Sequence, residues 1–338
     1  MQVSILGGGG FLGRKLAARL ARDGAIGGRP VTALHLFDLH PPPVPDAAPF
    51  PVRALAGDLL DPAALAAAMP PGTGVVFHLA AVVSAAAEAD FDLGMRVNLD
   101  GTRAVLDRCR ALVATGEAPP RVVFTSSVAS FSGGQDGVIP ADGRQLPANS
   151  YGVQKAMGEL LLGDASRRGF LDAVCLRLPT VLVRPGRPNR AASSFVSAIL
   201  REPLLDLPAT LPVPEDFALW LCSPRRAMDW LLHAAALDSA SLGLDRGVNP
   251  PGLTARVSDM LGALERVAGP AARARVQPAP DPAVAAIVSG WPAAFDPARA
   301  LSLGFAPQEP LEEILRAFVA DDLDATRAER AADRPPAG

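Results

Sequence analysis

The sequence is poor in the residues that mark disulfide-rich and metal-binding proteins. Its 338 residues include three cysteines and four histidines. Cys109, Cys175 and Cys222 are far apart, which favours reduced thiols over a disulfide framework, and the histidines and cysteines show no metal-ligand spacing. We therefore expect a cytoplasmic protein that binds no metal.

An excess of basic charge and a long unbroken apolar run are also lacking. Lys and Arg total 32 against 35 Asp and Glu, and the net charge of -3 disfavours nucleic acid as a partner. No basic segment precedes an apolar one at the start, which disfavours a secretory signal. The longest uncharged run, 62–87, has prolines and glycines in its middle, so we expect no membrane helix.

Short apolar runs alternate with Ala-, Leu- and Arg-rich stretches over the first half of the chain. This alternation is typical of βαβ units around a buried parallel sheet. The pattern predicts strands over 2–6, 31–37, 52–56, 75–79, 121–125 and 173–178, and helices over 11–22, 91–113 and 151–168. We therefore expect a Rossmann-type, doubly wound α/β fold with its site at the carboxyl ends of the strands.

After Pro179 the sequence changes character, with recurrent prolines and arginines. We predict an NAD-binding domain over 1–178, with later strands from about 218–250, a smaller substrate-binding lobe over 179–326, and a frayed tail over 327–338. Short helices are predicted in the lobe over 193–201, 224–237, 256–267 and 311–323.

A glycine loop follows the first predicted strand and begins the first predicted helix. The loop reads as G-x-x-G-x-x-G from Gly7 or as G-x-G-x-x-G from Gly8, and the sequence leaves the register open. In this context the glycines let the backbone approach a pyrophosphate, although a flexible turn is the alternative. The candidate cofactor residues in the loop are Gly7, Gly10, Phe11, Leu12 and Gly13.

An acidic residue ends the second strand. Asp38 lies 38 − 13 = 25 residues after Gly13, where a carboxylate can accept hydrogen bonds from an adenosine ribose. A ribose 2′-phosphate would be repelled, and no Lys or Arg lies between Asp38 and Arg53, so NAD is favoured over NADP. The alternative is a solvated turn residue.

The single tyrosine is placed four residues before one of the two lysines. Tyr151 and Lys155 share a face of the predicted helix, where the ammonium can favour the phenolate. Such a tyrosine can take a proton from an alcohol whose carbon releases hydride to a nicotinamide. Ser126 and Ser127 offer a hydroxyl that orients the reacting oxygen. The alternative is a helix-start aromatic beside a surface lysine.

Together these motifs resemble the extended short-chain dehydrogenase/reductase family. They are GGGGFLG, GDLLDP at 57–62, FHLAA at 77–81, NLDGT at 98–102, FTSS at 124–127 and YGVQK at 151–155, with a family-like closing segment at 295–318. The resemblance implies that Tyr151 is the acid/base, that Lys155 lowers its pKa and holds the nicotinamide ribose, and that Ser127 hydrogen-bonds the reacting oxygen. Ser126 is the alternate for that last role.

The resemblance also implies further cofactor contacts and a dimer. The additional cofactor residues are Asp58 and Leu59 at the adenine, Leu79, Ala80 and Ala81 along the groove, Asn98 as support, and Pro179 beside the nicotinamide. The two helices over 91–113 and 151–168 are candidates for a homodimer interface.

Segments 80–102, 177–195 and 219–227 resemble those members of the family that oxidise the C2 hydroxyl of a four-carbon sugar acid. The expected activity is therefore NAD-dependent oxidation of D-erythronate to a 2-oxo acid. Planar arginine suits a carboxylate, so Arg184 and Arg225 are candidates for binding it, and Ser84 for a hydroxyl. Each arginine could instead pair with an acidic side chain.

Three other functions remain as alternatives. Within the family, a nucleotide-sugar 4-epimerase or dehydratase and a uronate dehydrogenase share these motifs. Phe131 and Ser132 stand where many sugar-nucleotide epimerases carry tyrosine and glycine, which disfavours a nucleotide sugar. Outside enzymes, the fold could serve an NAD-sensing binding protein, which the intact Tyr151 and Lys155 disfavour.

Overall fold

Strands and helices alternate along the chain in the computed structural model, which describes residues 1–134, 137–186 and 194–332. The strands are β1 (Gln2–Leu6), β2 (Ala25–Ile26), β3 (Arg29–Pro30), β4 (Ala33–Asp38), β5 (Val52–Ala56), β6 (Thr73–His78), β7 (Arg121–Ser127), β8 (Asp172–Leu178), β9 (Thr180–Val181), β10 (Ala209–Leu211), β11 (Ala218–Cys222), β12 (Gly247–Val248), β13 (Leu253–Arg256) and β14 (Val276–Pro278). The helices are α1 (Phe11–Asp23), α2 (Pro62–Ala68), α3 (Ser84–Ala89), α4 (Phe91–Gly94), α5 (Gly101–Ala114), α6 (Ser150–Arg167), α7 (Ser194–Leu204), α8 (Pro224–Ala236), α9 (Val257–Ala268), α10 (Pro270–Ala274), α11 (Pro282–Val288), α12 (Ala298–Ser302), α13 (Leu311–Asp321) and α14 (Leu323–Ala332). A π-helical turn (Met95–Asp100) joins α4 to α5, and 3₁₀ turns cover Val128–Phe131 and Ser239–Leu242.

A seven-stranded sheet organises the first half of the chain. Its strand order is β12-β8-β7-β6-β1-β4-β5, and every neighbouring pair is parallel. Because the order reverses beside β1, the carboxyl ends of β1 and β6 meet at a crevice, which is the switch point of a doubly wound sheet. The predicted Rossmann-type fold is confirmed.

Two apolar cores lie on the two faces of this sheet. On one face, Leu16 and Leu20 of α1 pack with Trp230 and Leu231 of α8. The other face is covered by α2, α5 and α6. The prediction that the helix over 224–237 belongs to the smaller lobe is wrong, because the apolar stripe of α8 is buried against the main sheet.

A third core lies in the C-terminal half, where α7, α9 and α13 pack with the sheet β13-β11-β9. The described part of the chain ends in α14, which contradicts the predicted fraying for 327–332. Thr326 is buried there, and Arg330 hydrogen-bonds to Glu202, so the last helix is held against α7. The rest of the predicted tail lies outside the described residues. In the described part of the chain, no helix combines the length and the apolar character needed to cross a membrane.

Candidate active site

A cavity of about 400 Å³ opens at the carboxyl ends of the main strands. Residues at or just after the carboxyl ends of β1, β6, β7 and β8 border it, as expected for a parallel sheet. The predicted residues on its wall are Gly7, Gly10, Phe11, Leu12, Gly13, Leu79, Ala81, Ser84, Ser127, Tyr151, Lys155, Pro179 and Arg184. Most of the predicted site thus converges on one cavity.

The contacts of the glycine loop resolve its register. Gly7 has a φ of +91°, and a Cβ there would lie 2.7 Å from the amide nitrogen of Ala80. A Cβ on Gly13 would lie 2.1 Å from the carbonyl oxygen of Gly7. Gly7, Gly10 and Gly13 border the cavity, whereas Gly8 and Gly9 are not on its wall. The loop is therefore G-x-x-G-x-x-G from Gly7.

The surroundings of the loop suit a dinucleotide. Gly10 is the N-cap of α1 and supplies no side chain to the free amides of the first helical turn, so these amides and the helix dipole face the cavity as an anion site. Asp38 accepts hydrogen bonds from the amides of Gly9 (2.9 Å) and Leu39 (2.8 Å), so its carboxylate is fixed beside the loop. The absence of Cβ atoms, the helix N-terminus and this carboxylate together fit NAD.

Tyr151 lies in the cavity with its phenol against Ser127. Burial raises the pKa of Tyr151 to about 12, and the hydrogen bond with Ser127 partly offsets this. The ammonium nitrogen of Lys155 lies 5.6 Å from the centre of the Tyr151 ring and 4.6 Å from that of Phe124. Burial lowers the pKa of Lys155 to about 7. Burial is the largest influence on both pKa values, and the role of Lys155 in lowering the pKa of Tyr151 stays a prediction.

The two neighbouring serines differ in their partners. The hydroxyl of Ser126 is buried and donates a hydrogen bond to the carboxylate of Glu159, behind the cavity. The hydroxyl of Ser127 accepts a hydrogen bond from the amide of Ala129 (3.1 Å) and contacts Tyr151. Ser127 is thus the serine positioned for the reacting oxygen.

Several predicted cofactor residues lie outside the cavity wall. Asp58 forms a 2.7 Å ion pair with Arg96, and Leu59 is buried beneath Gly101. Ala80 donates its amide to the carbonyl of Leu6, and Asp38 is held by the glycine loop as described. Their contacts with a cofactor stay predictions.

Asn98 supports the cavity from behind rather than lining it. Its amide group exchanges two hydrogen bonds with the backbone of Val82, at 2.8 and 3.1 Å, and donates a third, at 2.7 Å, to Gln154. Asn98 therefore ties the loop after β6 to α6, which carries Tyr151. This placement agrees with the supporting role that the resemblance implies.

The two candidate substrate arginines have different environments. Arg184 is on the cavity wall, where burial and the charge of Arg201 lower its pKa. Arg225 lies away from the cavity and forms two hydrogen bonds, at 2.6 and 2.7 Å, with the carboxylate of Asp321. The prediction that Arg225 binds the substrate is wrong, because this acidic partner from α13 already holds its guanidinium.

The cavity wall also contains residues that the motifs did not indicate. They are Val83, Thr125, Val128, Ala129, Leu178, Thr180, Val181 and Trp291, whereas Ser126, the predicted alternate to Ser127, is on the wall as well. Most are neighbours of predicted residues at strand ends, and that position was the signal available in the sequence. Trp291 is remote in sequence, and its buried indole nitrogen has no hydrogen-bond partner among the residues that the structure describes. In the described residues no group of three or more His, Cys, Asp and Glu side chains could hold a metal.

Comparison with known proteins agrees with this geometry. Residues 3–215 match the model of the NAD dependent epimerase/dehydratase family. A D-erythronate dehydrogenase of Cupriavidus necator is 50% identical over 95% of this chain and 98% of its own length. A D-erythronate dehydrogenase of Haemophilus influenzae is 39% identical over 96% of this chain and 100% of its own. A crystal structure described as a nucleoside-diphosphate-sugar epimerase from Agrobacterium tumefaciens has a TM-score of 0.91 and 44% identity, covering 97% of this chain and 96% of that one.

Proposed function

The chain belongs to the NAD dependent epimerase/dehydratase family, and we propose that within this family it oxidises the C2 hydroxyl of D-erythronate to a 2-oxo acid. The observation that carries the proposal is the full-length identity to two proteins named for that reaction, at 50% and 39%. The cavity supports it, since Tyr151, Ser127, Lys155 and the half-buried Arg184 all lie on its wall.

The side chains of the site divide the work of the reaction. Tyr151, as phenolate, takes the proton of the C2 hydroxyl, and Ser127 donates a hydrogen bond to the same oxygen. Lys155 stabilises the phenolate and holds the cofactor ribose. When bound, NAD supplies the acceptor for the hydride that leaves C2. Gly7, Gly10 and Gly13 leave room for its pyrophosphate, as the close contacts of the loop indicate.

Substrate recognition is assigned to two further residues of the cavity wall, Arg184 and Ser84. Arg184 binds the carboxylate of the sugar acid, because a guanidinium forms paired hydrogen bonds with a carboxylate. Ser84 begins α3 at the cavity edge and meets a substrate hydroxyl. A four-carbon acid needs one charged contact and a few hydroxyl partners, which these side chains provide.

The preference for NAD over NADP follows from Asp38, the last residue of β4. Asp38 is fixed by two backbone amides and presents its carboxylate next to the glycine loop. It accepts hydrogen bonds from the ribose hydroxyls, and its charge disfavours a 2′-phosphate. Asp58 and Leu59 are assigned to the adenine end.

We further propose that the chain divides near Pro179 into an NAD-binding domain and a substrate-binding lobe. The apolar core that includes α7, α9 and α13 supports a separate lobe. Segment 218–250 returns to the main sheet through α8 and β12. The location we propose is the cytoplasm, since all three cysteines are buried free thiols.

A homodimer is proposed through α6. Val153, Met157 and Leu160 form an exposed apolar stripe along this helix, and Leu160 is 74% exposed. Such a stripe on a long helix favours burial against a second copy. Sedimentation velocity should give a dimer for the wild type and a monomer for Leu160→Glu. A wild-type monomer would contradict this interface.

The function is tested by measuring NADH formation with excess NAD and a panel of sugar acids. The panel contains D-erythronate, D-threonate and a hexuronate. We expect net NADH formation with D-erythronate and the highest kcat/KM for it, because the pocket has to fit chain length and hydroxyl configuration. Preference for the hexuronate would assign a uronate dehydrogenase instead.

The second candidate is a nucleotide-sugar 4-epimerase, favoured by the description of the Agrobacterium tumefaciens structure. An epimerase retains its cofactor and gives no net redox change. Incubation with UDP-glucose in the same assay distinguishes the two functions, since isomerised sugar without net NADH would support the epimerase. Cofactor binding without turnover of any substrate would support an NAD-sensing protein.

A further inference from the structure

A buried ion pair lies behind the lysine of the site. Glu159 follows Lys155 by four residues on α6, so the two side chains share a helix face. The carboxylate of Glu159 accepts hydrogen bonds from two nitrogens of Arg177, at 2.8 and 2.9 Å, and both side chains are almost fully buried. A buried pair is costly to desolvate and is weak evidence for stability alone. The position of the pair directly behind Lys155 therefore suggests a role other than stabilising the fold.

The same carboxylate connects to the end of β7. Besides Arg177, it accepts a hydrogen bond from the hydroxyl of Ser126 and another, at 2.9 Å, from Gln145. Ser126 precedes Ser127, the serine that contacts Tyr151. The network is thus continuous with the strand end that presents the reacting-oxygen contact.

Electrostatics link Glu159 to Lys155. His78 on β6 faces Lys155 as a neutral imidazole, because burial lowers its pKa to about 3. Cys175 on β8 also faces Lys155 and stays a thiol at neutral pH, since burial raises its pKa. Tyr151 remains protonated for the same reason. The carboxylate of Glu159 acts in the opposite direction to burial and raises the pKa of Lys155, although burial has the larger effect.

We propose that Glu159 and Arg177 are a positioning pair: the carboxylate favours the cationic form of Lys155 within the cavity, and the guanidinium limits that effect while it fixes the carboxylate. Neither side chain touches substrate. The inference rests on the proposed oxidation, in which a cationic Lys155 stabilises the phenolate of Tyr151. The charge of Lys155 near neutral pH would then depend on Glu159 and Arg177, which lie behind the site.

The composition of the chain allows a direct test. Lys15 and Lys155 are its two lysines, so trace acetylation with acetic anhydride across a pH series, followed by peptide mass spectrometry, reports each amine separately. The neutral amine is the form that reacts. Lys155 borders the cavity and is reachable by a small reagent, and Lys15, ion-paired with Asp322 at 2.7 Å, is the internal control. No substrate or cofactor is required.

Three substitutions separate charge from hydrogen bonding. Glu159→Gln keeps an acceptor for Ser126 but removes the anion, so the labelling midpoint of Lys155 should fall by about one pH unit or more. Arg177→Met leaves the carboxylate uncompensated, so the midpoint should rise. Ser126→Ala removes one hydrogen bond and no charge, so the midpoint should stay. Lys15 should be unaffected in all three.

Because Glu159→Gln and Arg177→Met each leave a buried charge unpaired, the double variant that combines them provides a neutral pair that folds more readily. Its Lys155 midpoint should lie below that of the wild type. Circular dichroism checks the fold of each variant. Unchanged midpoints, or shifts of the same sign in Glu159→Gln and Arg177→Met, would overturn the proposal and leave the pair a structural feature.

Turnover of D-erythronate, measured on the same preparations, distinguishes a failure of the proposed function from a failure of the proposed role of the Glu159–Arg177 pair. The pH above which kcat/KM falls should shift in the same direction as the labelling midpoint of Lys155. If the wild type does not turn over D-erythronate but Glu159→Gln and Arg177→Met shift the Lys155 midpoint in opposite directions, the proposed function is refuted. The effect of the pair on the charge of Lys155 then still holds. Normal turnover in all variants with unshifted midpoints would refute the pair alone.

Discussion

Arg184 and Arg225 show how far a single residue can be interpreted from sequence. Both follow strands of the C-terminal half, and both have the chemistry to hold a carboxylate. Arg225 is instead held by Asp321, which is 96 residues away along the chain. The sequence contains no signal for that pairing, since it depends on how α8 meets α13. By contrast, Tyr151 and Lys155 were predictable because helix periodicity alone puts them on one face.

The residue-scale prediction compares these arginines. Arg184→Met keeps an unbranched side chain at the cavity wall but removes its charge, so KM for D-erythronate should rise about tenfold to hundredfold while kcat changes less, as for loss of a charged hydrogen bond. Arg225→Met is the matched control and should leave KM unchanged, because an exposed ion pair contributes little. Steady-state kinetics at saturating NAD measures both. Equal effects in the two variants would contradict the assignment of the carboxylate to Arg184.

At the scale of elements, the first strands and helices were predictable to within a few residues. β1 and β5 have the predicted bounds, and the loop after β1 was recognised by its glycines. The register of that loop was not predictable, because it depends on the contact of Gly7 with Ala80, which lies in the loop after β6, far along the chain. The place of α8 was missed for the same reason: amphipathic periodicity shows that a face is buried, not which sheet buries it.

The glycine loop gives the element-scale prediction. In Gly13→Ala the new Cβ would lie 2.1 Å from the carbonyl oxygen of Gly7, so the backbone has to shift. We expect a loss of about 1–3 kcal/mol in the free energy of unfolding, typical of overpacking, together with weaker NADH binding. Urea denaturation and fluorescence titration with NADH measure the two effects.

Gly163→Ala is the control for this substitution. Gly163 lies inside α6, and a Cβ there would meet open space. Alanine should therefore raise the free energy of unfolding by about 0.5–1 kcal/mol through better helix propensity and leave NADH binding intact. Equal stability and cofactor affinity in both variants would refute the close packing of the loop.

At the scale of the whole molecule, the buried groups link stability to pH. The pKa of Lys155 is about 7 in the folded protein against an ordinary 10.5, so above pH 7 the unfolded chain binds the extra proton and stability rises with pH. The buried thiols of Cys109 and Cys222 have the opposite effect: they lower stability as the pH approaches their ordinary pKa of 9.0, because the folded state keeps their protons and the unfolded chain loses them. On the acid side, His78 is neutral in the folded state, so stability falls below its ordinary pKa of 6.5.

The resulting prediction concerns cofactor-free protein between pH 7 and about 8.5. The melting temperature should rise with pH in the wild type, and Lys155→Met should flatten the rise, because the methionine has no proton to lose. Lys15→Met is the control and should keep the wild-type slope, since no comparable burial acts on that side chain. Thermal melts across the window measure the slopes. A slope in Lys155→Met equal to that of the wild type would show that Lys155 is not neutralised by burial.

The central claim is that Tyr151 is the base of an NAD-linked oxidation of a sugar acid. The most direct measurement is the initial rate of NADH formation from D-erythronate by the wild type and by Tyr151→Phe, which removes one hydroxyl from the chain's single tyrosine. We predict that kcat falls about 10²–10⁴-fold in the variant, the range for loss of a general base, while NADH binding is retained. Equal rates in the two proteins would contradict the claim.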